Sequence, residues 1–341
     1  MNQVTLATFN LLNLAAAGFK FYDNQDVYTQ SEYRDKTRWT AAQLTQLRAD
    51  VVACEEVFSE QALRDCVDAS EWMRGATVLV PHTDTVGTDG HYLPRVGVIS
   101  KLKILEWHSH EDIPPSARVT LPDHQTATLQ HTRFSRPVLE VLVETSRDPA
   151  YSRPMRLFVL HLKSKRPDFN VGDNERLPQI VAMANHRSLL KRSAEAAGVR
   201  QLVVDRLWHT AEPVAVMGDF NDMLHSPTTQ LIAATQWKAH DRAQRDAMLY
   251  DSWDICKHHD LSRHGPQRRD VSYTHVHEGI PEVIDHVLLS EEFAPFSEHC
   301  IAHVSRVDIY NDHLNNRLRG MPFAKRVESD HGQVVVTLNF L

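Results

Sequence analysis

PVAVMGDFND, residues 213–222, is an apolar run that stops abruptly at Gly218-Asp219-Phe220-Asn221. Val214–Met217 is the right length for a buried strand, and the glycine, aspartate and asparagine behind it are turn formers. A strand that ends on an aspartate says where else to look, because open α/β sheets gather their ligands at strand ends. The same junction recurs at Asn10 after Val4–Phe9, at Glu55-Glu56 after Val51–Cys54 and at His161 after Leu157–Leu160. It also occurs at Asp285-His286 within Val283–Leu289, and at Ser329-Asp330-His331-Gly332 before Val334–Val336. One such residue is ordinarily a cap or turn former. Six in one chain form a pattern.

Strand-like runs extend along the whole length: Gln3–Phe9, Asp50–Glu56, Thr77–Val80, Val96–Ser100, Thr126–Phe134, Val138–Glu144, Met155–Leu162, Pro213–Gly218, Glu282–Leu289 and Gln333–Phe340. Helical periodicity covers Glu32–Leu47, Glu60–Trp72, a long stretch from Gln179 to Trp208 that is expected to break near Gly198, and a short piece after Pro227. Several strands follow one another without a helix between them, so a purely parallel α/β sheet does not fit and mixed sheets with helices outside do. Asp112–His124 and the basic stretch Lys163–Glu175 read as surface loops. With no repeat and no linker composition, residues 1–341 read as one domain with loop insertions.

At 42% hydrophobic residues the chain can bury a large core, which rules out disorder. Its 37 basic and 44 acidic residues give a formal charge of -7, so bulk electrostatics alone would not hold a nucleic acid. A nucleic-acid enzyme of this charge needs a local basic strip or a metal ion. Apolar runs are strand-sized, below the ~18 residues of a membrane helix. The run Leu11–Gly18 lacks a preceding Lys or Arg and contains Asn13, so the N-terminus reads as mature sequence and a cytoplasmic location is expected. Cys54, Cys66, Cys256 and Cys300 show no CxxC spacing and read as buried free thiols.

Taken in order, ATFNLLNL (7–14), DVVACEEV (50–57), VLHLKSK (159–165), VMGDFND (216–222), SYTH (272–275), VIDHVLLS (283–290) and ESDHGQVVV (328–336) resemble the endonuclease/exonuclease/phosphatase superfamily across nearly the entire chain. The resemblance implies an α/β (α+β) four-layer sandwich of two mixed β-sheets flanked by helices. It also implies a divalent-metal site, Mg²⁺ with Mn²⁺ as the other candidate, and hydrolysis of phosphate esters. That chemistry suits the residues themselves: hard oxygen donors for the ion, with cationic and amide donors for the phosphate.

On this resemblance Glu56 matches the metal-binding glutamate, and Asn10 and Asp330 line the same region. Glu55, where the superfamily often has Gln, should face the other way along a strand and take no metal role. Asp219 matches the aspartate that orients or deprotonates water, and Asn221 an amide donor to phosphate. His161 and His331 match two phosphate-contacting histidines, and Asp285 the carboxylate that holds His331 and raises its pKa. In pancreatic-type deoxyribonucleases a glutamate before a strand proline supports the first histidine; Arg136, before Pro137, stands there instead and is expected to reach phosphate. The acidic residue that some nuclease branches carry two positions after the Asn10 equivalent is Leu12 here.

Lys163, Lys165 and Arg166 follow His161 closely enough to meet a polyanionic substrate, and Arg268-Arg269 is a similar candidate. Arg187, Lys191, Arg192 and Arg200 read as the solvated face of a helix. His108 with His110, and His275 with His277, alternate as strand neighbours, but without an HExxH or Cys/His pattern they read as exposed or hydrogen-bonded, as do His258-His259. A Mg²⁺-dependent phosphodiesterase acting on nucleic acid is the leading expectation. The alternative is a hydrolase of a small phosphate ester such as a nucleotide, inositol phosphate or phospholipid headgroup. A non-catalytic binding module ranks last, because the matched set is intact.

Overall fold

Inward-facing apolar rows on adjacent strands build the centre of the molecule. The computed structural model describes residues 3–22, 24–83, 86–87, 90–122, 129–146, 152–234, 246–260, 272–315 and 326–341. Among these, strands β1 (Gln3–Leu14), β2 (Val51–Val57), β3 (Thr77–Leu79), β4 (Arg95–Ser100), β15 (Ala302–Tyr310) and β16 (Gln333–Phe340) form one mixed sheet in the order β15-β16-β1-β2-β4-β3. A second mixed sheet, β11-β14-β10-β9-β8-β5, uses β5 (Ile104–Asp112), β8 (Arg133–Val143), β9 (Met155–His161), β10 (Val214–Asp219), β11 (Tyr250–Asp251) and β14 (Asp285–Leu289). Two small hairpins complete the strands: β6 (Val119–Leu121) with β7 (Leu129–His131), and β12 (His275–His277) with β13 (Ile280–Glu282).

Side chains alternate across a strand, and here each parity has its own core. Val4, Leu6, Val51 and Ala53 meet Leu157, Val159, Ala215 and Met217 between the sheets. The opposite parity, Ala7, Phe9, Val52 and Cys54, packs on α1 (Gln30–Leu47) and α2 (Glu60–Ala69) through Leu44, Leu47, Leu63 and Cys66. Phe158, Leu160, Val214 and Val216 do the same against Val199, Val203 and Leu207 of α3 (Pro178–Leu207), with α4 (Pro227–Ala233) beside it. Helix, sheet, sheet, helix is the expected four-layer sandwich. A fully buried row of this kind contributes roughly 1.5–3 kcal/mol per large side chain.

Helix α1 starts where Thr29 accepts from Glu32 N (3.2 Å) while Glu32 accepts in return from Thr29 N (2.9 Å), a capping box. The expected break in α3 does not occur. Gly198 sits inside a continuous 30-residue helix, where a Cβ would lie 3.0 Å from Phe134 Cζ, so the glycine serves close packing rather than interruption. β8 likewise runs through Pro137, at a register shift opposite His110/Asp112. Residues 126–128 of an expected strand, and Arg268-Arg269, lie outside the described residues. Cys54, Cys66 and Cys256 are buried free thiols, and Cys300 is half-buried. Among the described residues no helix is long and apolar enough to cross a membrane.

Candidate active site

At one end of the sandwich the inward rows change from apolar to polar. On β1 the row Val4, Leu6 continues into Thr8 and Asn10; on β2, Val51, Ala53 into Glu55; on β9, Leu157, Val159 into His161; on β10, Ala215, Met217 into Asp219. On the antiparallel β14 the row reads Leu289, Val287, Asp285. The turn in the opening sequence works because Gly218, at φ +140°, lies where a Cβ would come 2.0 Å from Leu160 O. Only glycine fits there.

Asp219 is the hub. Its Oδ2 accepts from Asn10 Nδ2 of the facing sheet (3.1 Å) and from Asn221 Nδ2 (3.2 Å), and lies 3.3 Å from His161 Nε2; Oδ1 accepts from Asn221 N (2.8 Å). Burial pushes its carboxyl up to about 7, with Asp285 and Glu56 adding to the shift and His331 opposing it. Asn221, at φ +53°, also donates to Leu162 O (3.0 Å). His331 Nδ1 meets both oxygens of Asp285 at 3.1 and 2.9 Å, leaving Nε2 3.9 Å from Asp219 Oδ2. Burial alone would lower the imidazole, but Asp285 and Asp219 hold it well above its ordinary value. His161 is different. Burial, Arg136 and His331 push it well below the usual range, so its ring is neutral, and Nδ1 has no hydrogen-bond partner among the described residues.

Glu56 reaches the site by a bulge. The β1/β2 register shifts between Asn10 and Leu14, and Glu56 sits at φ +59°. Its carboxylate accepts from Asn13 N (2.9 Å) and Asn10 Nδ2 (3.4 Å), while burial and the Asp330 charge push its pKa up. Glu56 and Asp330 are mutually repelling carboxylates, the hard-oxygen donors that a divalent ion balances, so they fit Mg²⁺ or Mn²⁺; Asn10 turns Nδ2 toward Glu56, and its Oδ1 accepts from Leu12 N (3.0 Å). The direction expected for Glu55 is also corrected, because it continues the inward Val51, Ala53 row. It does not face away from the site but lies fully buried between the sheets, accepting from Thr8 Oγ1 (2.9 Å), with its carboxyl pushed well up by burial, Asp285 and Asp219.

The expected basic strip is mostly consumed inside the protein. Lys163 Nζ donates to Ser164 O (3.3 Å), Arg166 O (3.1 Å) and Ser188 Oγ (3.3 Å), and burial lowers it to about 8. Lys165 pairs with Glu282 (3.3 Å) and Asp222 (3.7 Å). Arg166 is exposed. Arg136 Nη1 reaches Leu162 O (3.4 Å), and its guanidinium bonds the Tyr22 hydroxyl, which is also within the fields of Glu56 and Arg166. Tyr22 and the buried Glu195 were not legible as site residues.

Nor is the α3 face solvated. Arg187 (2% exposed) donates to Asp168 O (2.8 Å) and Asp173 (2.8 Å), Lys191 pairs with Asp168 (2.7 Å), and Arg192 (6%) reaches Asp222 (3.3 Å) and Lys163 O (3.3 Å). Arg200 donates to Ala247 O (2.6 Å). On the same face Glu195 accepts from Ser135 N (3.0 Å), Lys163 N (2.7 Å) and His131 Nε2 (3.2 Å). A histidine outside the expected set also arrives at the site: the rings of His275 and His331 are 5.0 Å apart.

The profile of the endonuclease/exonuclease/phosphatase family matches residues 7–331. The chain belongs to that family. Its members hydrolyse phosphoester bonds and are generally metal-dependent, and this endonuclease/exonuclease/phosphatase family protein is a phosphoester hydrolase. Among solved structures it resembles a mannosyl-6-phosphatase from Bacteroides thetaiotaomicron (15% identity, 99% of this chain and 100% of the other, TM-score 0.56). It also resembles D. rerio TDP2 complexed with a single-strand DNA product (13%, 99% and 100%, 0.54) and the human Nocturnin catalytic domain with bound sulfate (12%, 100% and 95%, 0.52). At these identities the likeness is one of fold. No curated protein sequence matches.

Proposed function

We propose that this family member is a metal-dependent phosphodiester hydrolase whose substrate is a nucleic-acid strand. The observation that carries hydrolysis is the Asp219 hub: a buried carboxylate facing two amides and two imidazoles, one neutral and one held by its own aspartate. A divalent ion held by Glu56 and Asp330, with the Asn10 amide beside them, would draw charge from the phosphate and lower the pKa of a bound water. Asp219, raised toward neutrality, orients the attacking water and accepts its proton. Asn221 steadies Asp219 through its backbone N–H and Nδ2, and donates to a phosphate oxygen by giving up one of the two Nδ2 bonds it makes to Asp219 and Leu162 O. His331, kept cationic by Asp285, faces the charge that grows on the phosphate oxygens. Neutral His161 fixes the orientation of Asp219 and adds no charge.

Arg136 and exposed Arg166, both close enough to act on Tyr22, support a strand of phosphates at the mouth of the site. A small phosphate ester is the second reading, favoured by the internal engagement of Lys163 and Lys165. Incubating the purified protein with single- and double-stranded DNA, RNA, bis-p-nitrophenyl phosphate, sphingomyelin and sugar phosphates, with and without Mg²⁺, separates the two. Turnover confined to the small esters overturns the nucleic-acid reading.

A further inference from the structure

Strand β12 brings a second histidine to His331 by a route that the hydrolytic site does not need. His275 and His331 form an isolated antiparallel bridge, and their backbones are locked on both sides: Gly332 N donates to Thr274 O (2.7 Å), and Asn311 Nδ2 to Tyr273 O (2.9 Å). Thr274 Oγ1 accepts from Ile284 N (3.0 Å) and Asp285 N (3.2 Å), tying β12 to the strand that carries Asp285. One donor atom from each of His275, Asp330 and His331 lies within 4.8 Å of the other two. That is the spread of ligands around one ion. Two imidazoles and a carboxylate with an open position suit Zn²⁺, whereas Mg²⁺ prefers an all-oxygen shell.

The Asp285 contact fits the same purpose. A metal-bound histidine usually gives its other ring nitrogen to a carboxylate, which fixes the tautomer and aims the free nitrogen at the ion. His331 has Nδ1 on Asp285 and Nε2 3.9 Å from Asp219 Oδ2, and an ion bound at Nε2 takes the place of the proton that makes the ring cationic. We propose that His275 and His331, with the Asp330 carboxylate that the hydrolytic ion also uses, form an inhibitory cation site that takes Zn²⁺ and withdraws His331 from the phosphate. The inhibitory part rests on the reading of His331 as a phosphate contact; the metal site does not.

The test uses the full chain stripped of metal by chelation and dialysis. Zinc affinity is measured by competition with a chromophoric chelator, and turnover of bis-p-nitrophenyl phosphate is followed at saturating Mg²⁺ while Zn²⁺ is added. Wild type binds zinc and loses its rate over the same concentrations. His275→Gln keeps the Mg²⁺-supported rate but binds zinc at least the roughly 10–100-fold more weakly that losing a ligand's support already costs, and its inhibition shifts equally. His277→Gln, exposed on the same strand, behaves as wild type. Should His275→Gln fail to fold, Asp285→Asn tests the site from the other side, with zinc affinity about 10–100-fold lower. Equal zinc affinity in wild type and His275→Gln overturns the site, and zinc bound through His275 with an unchanged rate overturns the inhibition. If no phosphate ester is turned over, the hydrolase reading fails while the binding comparison still decides the metal site.

Discussion

Asp219 meets four side-chain groups within 3.9 Å, so changing it to Asn alters charge and proton acceptance with little change in volume. Asp219→Asn is expected to stay folded and to lose ~10²–10⁴ in kcat, the scale of a lost general base. Circular dichroism and steady-state kinetics check it, and a variant that keeps most of its turnover removes Asp219 from the mechanism. His331→Ala and Asp285→Ala act on one unit joined at 2.9 Å. Their double mutant should therefore be little slower than either single one; multiplying losses would show two independent roles. Asp219, His331 and Asp285 were legible because each ends or begins an apolar run. Glu55 continues the inward Val51, Ala53 row, and its direction was misread because Glu56 was taken to hold that row; the bulge and positive φ that bring Glu56 to the site as well are invisible in two consecutive glutamates.

Bulges explain what the sequence hid among the elements as well. In β15 the register shifts between Val304 and Arg306, so Val304 and Val307 both enter the core and the alternation that marks a strand is broken. β5 is an edge strand with Leu105 and Trp107 exposed and two register shifts against β8, so its pattern is equally weak. The internal strands, buried on both faces, were read almost in full. Helix α3 was placed correctly, but its role was not. Arg187 and Arg192 look like a charged solvent face until the 163–173 loop is laid across them, where Glu195 also accepts from Lys163 N. Glu195→Gln keeps one acceptor oxygen and turns an NH₂ either to the Lys163 N–H at the Oε2 position or to the Ser135 and His131 donors at the Oε1 position. It should displace Lys163 or Ser135, neighbours of His161 and Arg136, and lower kcat/KM by about 10²-fold, the cost of a small misplacement of reacting groups. Wild-type kinetics in that variant would reduce Glu195 to a packing group. A second buried carboxylate, Glu140, gives a stability test away from the site. His110, Arg206 and Arg156 surround it at 2.6–2.8 Å and, against the opposing effect of burial, lower its pKa from 4.5 to about 2. A depressed carboxyl stabilises the fold above its unfolded pKa and loses that contribution as pH falls through the folded one. Wild-type stability should therefore decline between about pH 4.5 and pH 2 more steeply than that of Glu140→Gln, measured by urea unfolding across the range; parallel curves would show that Glu140 contributes nothing to acid sensitivity.

For the whole molecule the deciding quantity is how much positive charge faces outward at the end of the sandwich. A formal charge of -7 repels a polyanion at long range, and most of the basic residues near the site are turned inward. Lys163 closes its own loop on backbone carbonyls, Lys165 is paired with two carboxylates, and Arg192 reaches Asp222. Arg166 is exposed and near enough to act on Tyr22 beside Arg136, so on the nucleic-acid reading it is the cation proposed to touch a phosphate other than the one being cleaved. Different losses follow for the three cations. Arg166→Ala should weaken binding of DNA or RNA and shallow the dependence of log affinity on log salt by a little under one unit, while bis-p-nitrophenyl phosphate is hydrolysed at the wild-type rate. Lys163→Ala removes three hydrogen bonds from the loop behind His161, and should slow both substrates together with a lower unfolding temperature. Lys165→Ala frees Asp222 and Glu282 from a surface pair worth roughly 0–1 kcal/mol, and should change little in either assay. An Arg166→Ala protein whose salt dependence matches wild type would mean that no second phosphate is held there, and the small-ester reading would then account for the cationic mouth with Arg136 alone.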